Sequence, residues 1–137
     1  RSRNPRKVEL MAGVRRFDEW LAWQRARALT AEIYRISAVG PFQRDFALRD
    51  QVRRAAVSIM SNIAEGHERY SRTEFKRFLS IARGSAAEVR SQLYVALDLS
   101  YVDEATFSRL VQECVEISRL IGRMYATVDQ QQPAPPT

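Results

Sequence analysis

Apolar residues recur every three or four positions along four stretches of this chain, and short polar breaks separate the stretches. That spacing places the apolar side chains on one face of an α-helix. The pattern therefore predicts helices over about residues 17–39, 45–65, 71–99 and 103–129. The positions expected in the core are Ala22, Ala26, Leu29, Ile33, Ile36, Leu48, Val52, Ala55, Ala56, Ile59, Ile63, Phe75, Phe78, Ala82, Val89, Leu93, Ala96, Phe107, Leu110, Cys114, Ile117, Ile121, Met124 and Val128.

The breaks between the stretches contain recognisable helix ends. Gly40 and Pro41 are expected to end the first helix, because glycine accepts a left-handed cap and proline cannot continue a helix. Gly66 is a natural stop for the second helix. Ser71 and Glu74 have the spacing of a capping box, in which the serine hydroxyl and the glutamate carboxylate satisfy each other's free backbone N–H groups.

Only a few residues connect the second, third and fourth helices, and Asp103 can cap the last of them. Such short connections force successive helices to lie antiparallel. We therefore predict an all-α fold, an antiparallel up-down-up-down four-helix bundle over residues 17–129. Residues 1–16 are expected to form a basic, flexible N-terminal extension, and the Gln- and Pro-rich residues 130–137 a disordered tail.

The third and fourth helices carry more apolar residues than one core-facing stripe requires. A second apolar stripe usually marks contact with another chain. This pattern predicts a homo-oligomer, although a monomer could also cover some of these side chains with its own neighbouring helices. The candidate interface residues are Ile81, Val95, Leu99, Val111, Val115 and Tyr125.

A net charge of +6 suggests a nucleic-acid partner, but the distribution of charge weakens that suggestion. Six basic residues and one acidic residue lie within residues 1–16, so the rest of the chain is close to neutral. Met11 could be the natural start, with residues 1–10 an upstream extension. Basic surface on the bundle must then come from local segregation of charge.

Residues that carry out chemistry are scarce, since the chain has one histidine and one cysteine. His67 follows the second helix, where a cation is favourable, and Cys114 occupies a core position. No phosphate-binding glycine loop, nucleophile elbow or His-Glu-x-x-His motif is present. We therefore expect no enzymatic activity, no metal and no cofactor. A lone cysteine and the lack of a long apolar run favour a cytoplasmic protein without a membrane span.

Arginine and lysine residues are the remaining candidates for a binding site. Lys76 and two arginines recur every seven residues on the third helix, which places them on one stripe about 10 Å apart. Such a stripe could follow phosphates, but it could equally be a solvated face with local ion pairs, such as Asp50 with Arg54. The candidate nucleic-acid-binding residues are Arg49, Arg53, Arg54, Lys76, Arg83 and Arg90.

A polar patch interrupts the apolar pattern near the end of the second helix, at Ser58, Ser61, Asn62 and Glu65. Buried polar groups must find hydrogen-bond partners. The favoured interpretation is a hydrogen-bonding role that sets the register of two helices. The alternative is a recognition surface.

Two blocks resemble a known family. Residues 52–66, VRRAAVSIMSNIAEG, and residues 78–88, FLSIARGSAAE, are similar to the bacterial four-helix-bundle family, the 23S ribosomal RNA intervening-sequence proteins. The similarity covers about residues 17–126. It implies a helical bundle that assembles into a homopentameric ring and has no known enzymatic activity.

Relatives in that family include the accessory variability protein of diversity-generating retroelements, which partners a reverse transcriptase and contacts nucleic acid through basic surface. The resemblance thus implies that RNA, DNA or such an enzyme is the partner. Arg53, Arg54 and Arg83 are the basic candidates inside the matching blocks. The leading hypothesis is an oligomeric scaffold that binds nucleic acid, or a protein that processes it, without base specificity. The competing hypothesis is a protein–protein adaptor or structural oligomer.

Overall fold

The computed structural model describes residues 4–130, without the side chains of residues 7–12, 14 and 15. Within that range every regular element is helical, and no strand is present. The elements are α1 (Pro5–Ile36), α2 (Gly40–Arg44), α3 (Phe46–His67), α4 (Arg72–Asp98) and α5 (Glu104–Gln130).

The four long helices enclose one core. α1 packs against α3 and α5, and α4 packs against the same two helices. The short α2 lies against α3, where buried Phe42 stacks on Tyr101 with ring centroids 5.0 Å apart. Most core positions named from the apolar pattern are buried, but Ile36, Leu48, Phe78 and Phe107 are only partly buried. This packing is that of a helical bundle.

The N-terminal end of α1 corrects the predicted domain boundary. Residues 5–16 are helical, whereas the sequence pattern predicted a flexible extension over residues 1–16. The Asn4 side chain accepts a hydrogen bond from the backbone N–H of Arg6 at 3.1 Å, and Pro5 supplies the fixed φ that suits a first helical turn. This cap lies outside the apolar repeat on which the boundary was based. Most of the predicted disordered tail, residues 131–137, lies outside the described residues.

α1 ends at Ile36, before the predicted stop. The Ser37 hydroxyl donates to the carbonyl of Ile33 at 2.6 Å, which closes the last turn. Gly40 has the left-handed φ of 61° expected for a glycine at a chain reversal, but it opens α2 and does not cap α1.

The other predicted helix ends are partly correct. Ser71 accepts from the backbone N–H of Glu74 at 3.3 Å, but the Glu74 carboxylate accepts from Arg77 and does not complete a capping box. Asp103 caps α5 by accepting from the N–H of Thr106 at 2.7 Å, which lowers the pKa of that carboxyl. α3 continues through Gly66, where an added Cβ would lie only 3.0 Å from the Phe75 ring.

An ion pair between buried Asp18 and exposed Arg123 joins α1 to α5. Asp18 is fully buried, and Arg123 donates to its two carboxylate oxygens through Nε and Nη2, each at 2.7 Å. These bonds raise the pKa of the Arg123 guanidinium. Along the same contact Arg25 pairs with Glu113 and Glu116. Early residues of α1 therefore meet late residues of α5.

Candidate functional site

The three predicted cations of α4 lie beside α5. Lys76 forms an ion pair with Asp129, and its Nζ lies 5.0 Å from the centroid of the Tyr125 ring. An added Cβ on Gly122 would lie 3.6 Å from the guanidinium carbon of Arg83. Arg90 follows Arg83 by seven residues, which places it on the same face of α4. We call the surface between these two helices the α4–α5 groove.

The α5 side of this groove consists of small or apolar residues. Ser118, Val115 and Val111 precede Gly122 at steps of three or four, so helical spacing places them on the same side of α5. Tyr125 follows Gly122 at the same spacing. Three of the predicted interface residues, Val111, Val115 and Tyr125, therefore lie opposite the cations, and each is partly buried.

The three cations differ in whether an ion pair already neutralises their charge. The Lys76 side chain is 21% exposed, and its hydrogen bond to Asp129 raises its pKa. Arg83 and Arg90 are exposed, and within residues 4–130 neither forms an ion pair. The groove thus presents two guanidinium groups without ion pairs in the described range, carried by residues about 10 Å apart along the axis of α4.

The α3 arginines do not join this group, because Arg53 and Arg54 lie beside Tyr34 of α1 and Arg49 contacts α2. Arg53 donates through Nε to the Ser37 hydroxyl at 2.8 Å and lies 4.6 Å from the Tyr34 ring centroid. It holds the end of α1 on α3, which is a structural contact. A cavity of about 370 Å³ beside it is lined by Tyr34, Asp50, Arg53, Arg54 and Val57.

The ion pair expected between Asp50 and Arg54 is replaced by one between Asp50 and Arg49. Arg49 Nε lies 3.0 Å from the Asp50 carboxylate, and Arg49 also donates to the carbonyl of Gln43 at 3.0 Å. Arg54 is exposed, and no ion pair to it occurs within the described range. Of the α3 candidates, only Arg49 is paired with a carboxylate within the described range, while Arg53 is bound to neutral groups at the end of α1.

The remaining predicted interface residues lie on a different side of α4. Ile81, Val95 and Leu99 are 40%, 44% and 50% exposed. Ile81 is one helical turn before Ser85, whose hydroxyl bonds that of Ser58 on α3. The predicted interface residues therefore divide between the α3 and α5 sides of α4.

The Ser58 contact decides the role of the polar patch. The Ser58 and Ser85 hydroxyls are 2.8 Å apart, and Asn62 donates to the Ser58 hydroxyl at 2.9 Å. The Ser58–Ser85 bond links α3 to α4, in agreement with the register interpretation, while the Asn62 bond lies within α3. Ser61 is exposed, and Glu65 pairs with Arg69 on the surface, so these two residues take no part in the link.

Sequence reasoning did not single out an apolar cavity between α1 and α3. It has a volume of about 390 Å³, and its walls include Trp20, Trp23, Ile63 and Ala64. His67, the last residue of α3, pairs with Glu19 at this cavity. The sequence feature that could have indicated this cavity is the pair of tryptophans beside the core stripe of α1. Of these, Trp20 is 58% exposed.

Cys114 is a buried core residue, as predicted. Burial raises the pKa of its thiol to about 12. Among the residues whose placement is described, no three His, Cys, Asp or Glu side chains come together as a group that could hold a metal ion. No helix there has the combined length and apolar character needed to cross a bilayer.

The fold and its surface thus define a helical-bundle protein with a cationic groove. The sequence profile of the 23S rRNA-intervening sequence proteins matches residues 18–123. The chain belongs to this family. No curated protein sequence matches it.

A crystal structure supports the fold independently. It is that of a protein with unknown function from the S23 ribosomal protein family of Bacteroides thetaiotaomicron, and its TM-score with this chain is 0.74. The two chains are 21% identical, and the alignment covers 80% of this chain and 98% of that one. At this identity the likeness supports the helical arrangement alone.

Proposed function

We propose that this protein is a non-enzymatic, homo-oligomeric scaffold that binds the phosphates of nucleic acid along the α4–α5 groove. In this proposal the four long helices form an up-down-up-down bundle, and five copies assemble into a ring, as the family resemblance implies. The groove binds without reading base edges, because its cations act on the phosphate backbone.

One observation carries the proposal. Arg83 and Arg90 are exposed, share one face of α4 and have no ion pair within the described residues. By contrast, Arg25, Arg109 and Arg123 contact another helix and each is paired with a carboxylate there. An uncompensated pair of guanidinium groups beside a wall of small and apolar side chains is suited to bind phosphate oxygens.

The experiment is a fluorescence anisotropy titration of labelled single-stranded RNA across a range of salt. Arg83→Glu and Arg90→Glu should each weaken binding and flatten the salt dependence, because each removes about one phosphate contact. Arg44→Glu is the matched control, since Arg44 is an exposed arginine on α2, outside the groove. Equal loss in the control and the groove variants would refute a specific role for the groove.

Self-association is the second part of the proposal. It rests on Ile81, Val95 and Leu99, which are large, apolar and between 40% and 50% exposed on one side of α4. Exposed apolar side chains grouped in this way commonly contact another chain. Light-scattering mass of the intact protein tests it directly, because a monomer at every concentration would contradict it.

A protein–protein adaptor is the competing function, and the apolar cavity between α1 and α3 favours it. Trp20 and Trp23 supply large aromatic side chains of the kind enriched where proteins meet. Binding through this cavity should change little with salt, whereas phosphate binding should weaken by orders of magnitude. The salt titration therefore separates the two functions.

A further inference from the structure

The α4–α5 groove contains a small cavity beside Arg83. Its volume is about 140 Å³. The lining residues are Leu79, Ser80, Arg83, Ile121, Gly122 and Tyr125. Leu79 and Ile121 are buried and form apolar wall, while Ser80 and Arg83 are exposed. The cavity therefore joins an apolar interior to the cationic surface of the groove.

The absence of a side chain at Gly122 contributes to this space. The atom nearest to a Cβ added there would be 3.6 Å away, on the Arg83 guanidinium, which is an ordinary contact distance. No close packing thus requires a glycine at this position, in contrast to Gly66, where the Phe75 ring is 3.0 Å away. A helix without such a requirement is more stable with alanine, by about 1 kcal/mol.

The size and chemistry of the cavity match one aromatic ring. An apolar protein cavity of about 150 Å³ can take up one benzene molecule. The Tyr125 ring lines this cavity, and nucleobases stack on aromatic side chains in sites that bind single strands. The Arg83 guanidinium at the edge can hold a phosphate of the same nucleotide or its neighbour.

We infer that this cavity receives one unstacked base of a single-stranded nucleic acid, with a pyrimidine preferred because the space fits a single six-membered ring. The inference rests on the proposed function and extends it from phosphate binding to a preference for single-stranded over duplex nucleic acid. A base held in a duplex stays stacked and cannot enter. Selection by size requires no reading of base edges.

The test compares three labelled strands of equal length in anisotropy titrations at one salt concentration: oligouridine, oligoadenosine and an abasic phosphodiester strand. Oligouridine should bind about tenfold more tightly than the abasic strand, since stacking of a base on an aromatic side chain has an effect of about that size or larger. Oligoadenosine should lie between them, and a duplex should bind more weakly than oligouridine.

Variants separate the cavity from the phosphate contacts. Gly122→Leu should bring the ratio of oligouridine to abasic affinity down to about one; the ratio is the measured quantity because the leucine side chain would also contact the Arg83 guanidinium. Ser80→Leu should act in the same way from the exposed side of α4, so the test does not depend on whether the Gly122 variant folds. Arg83→Gln should weaken binding of all three strands together.

The possible failures are distinguishable. If oligouridine and the abasic strand bind equally, or the duplex binds more tightly, this inference is overturned while salt-dependent phosphate binding stands. If the cavity variants do not change the preference for uridine, the base lies elsewhere and the inference is also overturned. If no strand binds at any salt concentration, the proposed function falls with it.

Discussion

The α1–α5 contact and the α4–α5 groove use the same residue type in opposite ways. On the α1–α5 side Arg123 meets fully buried Asp18, and Arg109 meets Glu32. In the groove Arg83 and Arg90 project beside α5 without a carboxylate partner in the described chain. Arginine acts structurally where a carboxylate lies across the interface, and is available to a ligand where small residues lie there.

The largest effect should come from Arg123→Ala. It leaves the buried Asp18 carboxylate without its partner, and such an unsatisfied acceptor typically costs about 1–3 kcal/mol. The cost is below that of a fully buried pair because the Arg123 side chain is 53% exposed. Arg83→Ala, the matched groove variant, should change the free energy of unfolding by less than about 0.5 kcal/mol. Urea denaturation followed by circular dichroism measures both. Similar losses in the two variants would erase the distinction between the two regions.

Nucleic-acid binding should depend more on the groove arginines than on Arg123, the reverse of their effects on stability. Arg83→Glu combined with Arg90→Glu should reduce RNA affinity by about tenfold or more and lower the salt slope by about 2. Helix content should not change, because both side chains are exposed. An RNA affinity equal to that of the unaltered protein would remove the groove as a binding site.

Self-association should respond to one side of α4 more than to the other. Val95→Arg adds charge to a side chain that is 44% exposed, and it should shift the light-scattering mass towards the monomer. Arg90→Ser serves as the control, since it alters the groove side of the same helix. A smaller mass for the control than for the Val95 variant would place the interface in the groove.

The hydrogen bonds between α3 and α4 should contribute a smaller amount. Ser58→Ala and Ser85→Ala should each destabilise the protein by about 1 kcal/mol, and the double variant by less than the sum, because the two hydroxyls bond one another. A double-mutant cycle in urea measures this coupling. Additive losses would show that the contact has no energetic role.

The smallest effect concerns Cys114. Since burial raises its thiol pKa to about 12, the native protein should react very slowly with thiol reagents at neutral pH. Stability should also fall as pH rises from the ordinary thiol pKa towards 12, because only the unfolded state ionises in that window. Mass spectrometry after alkylation tests the first statement, and rapid native labelling would contradict the buried position.

The core was predictable because its signal is local. Leu29, Ile59, Val89 and Ile117 fall at helical spacing along their own segments, and each is buried. Helix ends were less predictable, because side-chain caps outside the apolar repeat decide them. Asn4 extends α1 towards the N-terminus, and Ser37 ends it early. The capping box was half correct, since Arg77 competes for the Glu74 carboxylate.

The sequence predicted that the candidate cations share one stripe of a helix, but not which of them are free to bind a ligand. Spacing alone places Lys76, Arg83 and Arg90 on one face of a helix. It does not show that Lys76 already forms an ion pair with Asp129, or that Arg53 donates a hydrogen bond to Ser37 at the end of α1. Nor does it show that the Val111 and Tyr125 positions, predicted for an interface, share a groove with the cations.

The sequence by itself determined the helices, the buried face of each and the family to which the chain belongs. Only the tertiary structure decided which arginines are compensated and which cavities exist. The physical reason is range: helical periodicity relates residues three or four apart, whereas Asp18 and Arg123 meet only when α1 packs against α5. The same packing brings Gly122 beside Arg83 and creates the cavity on which the inference rests.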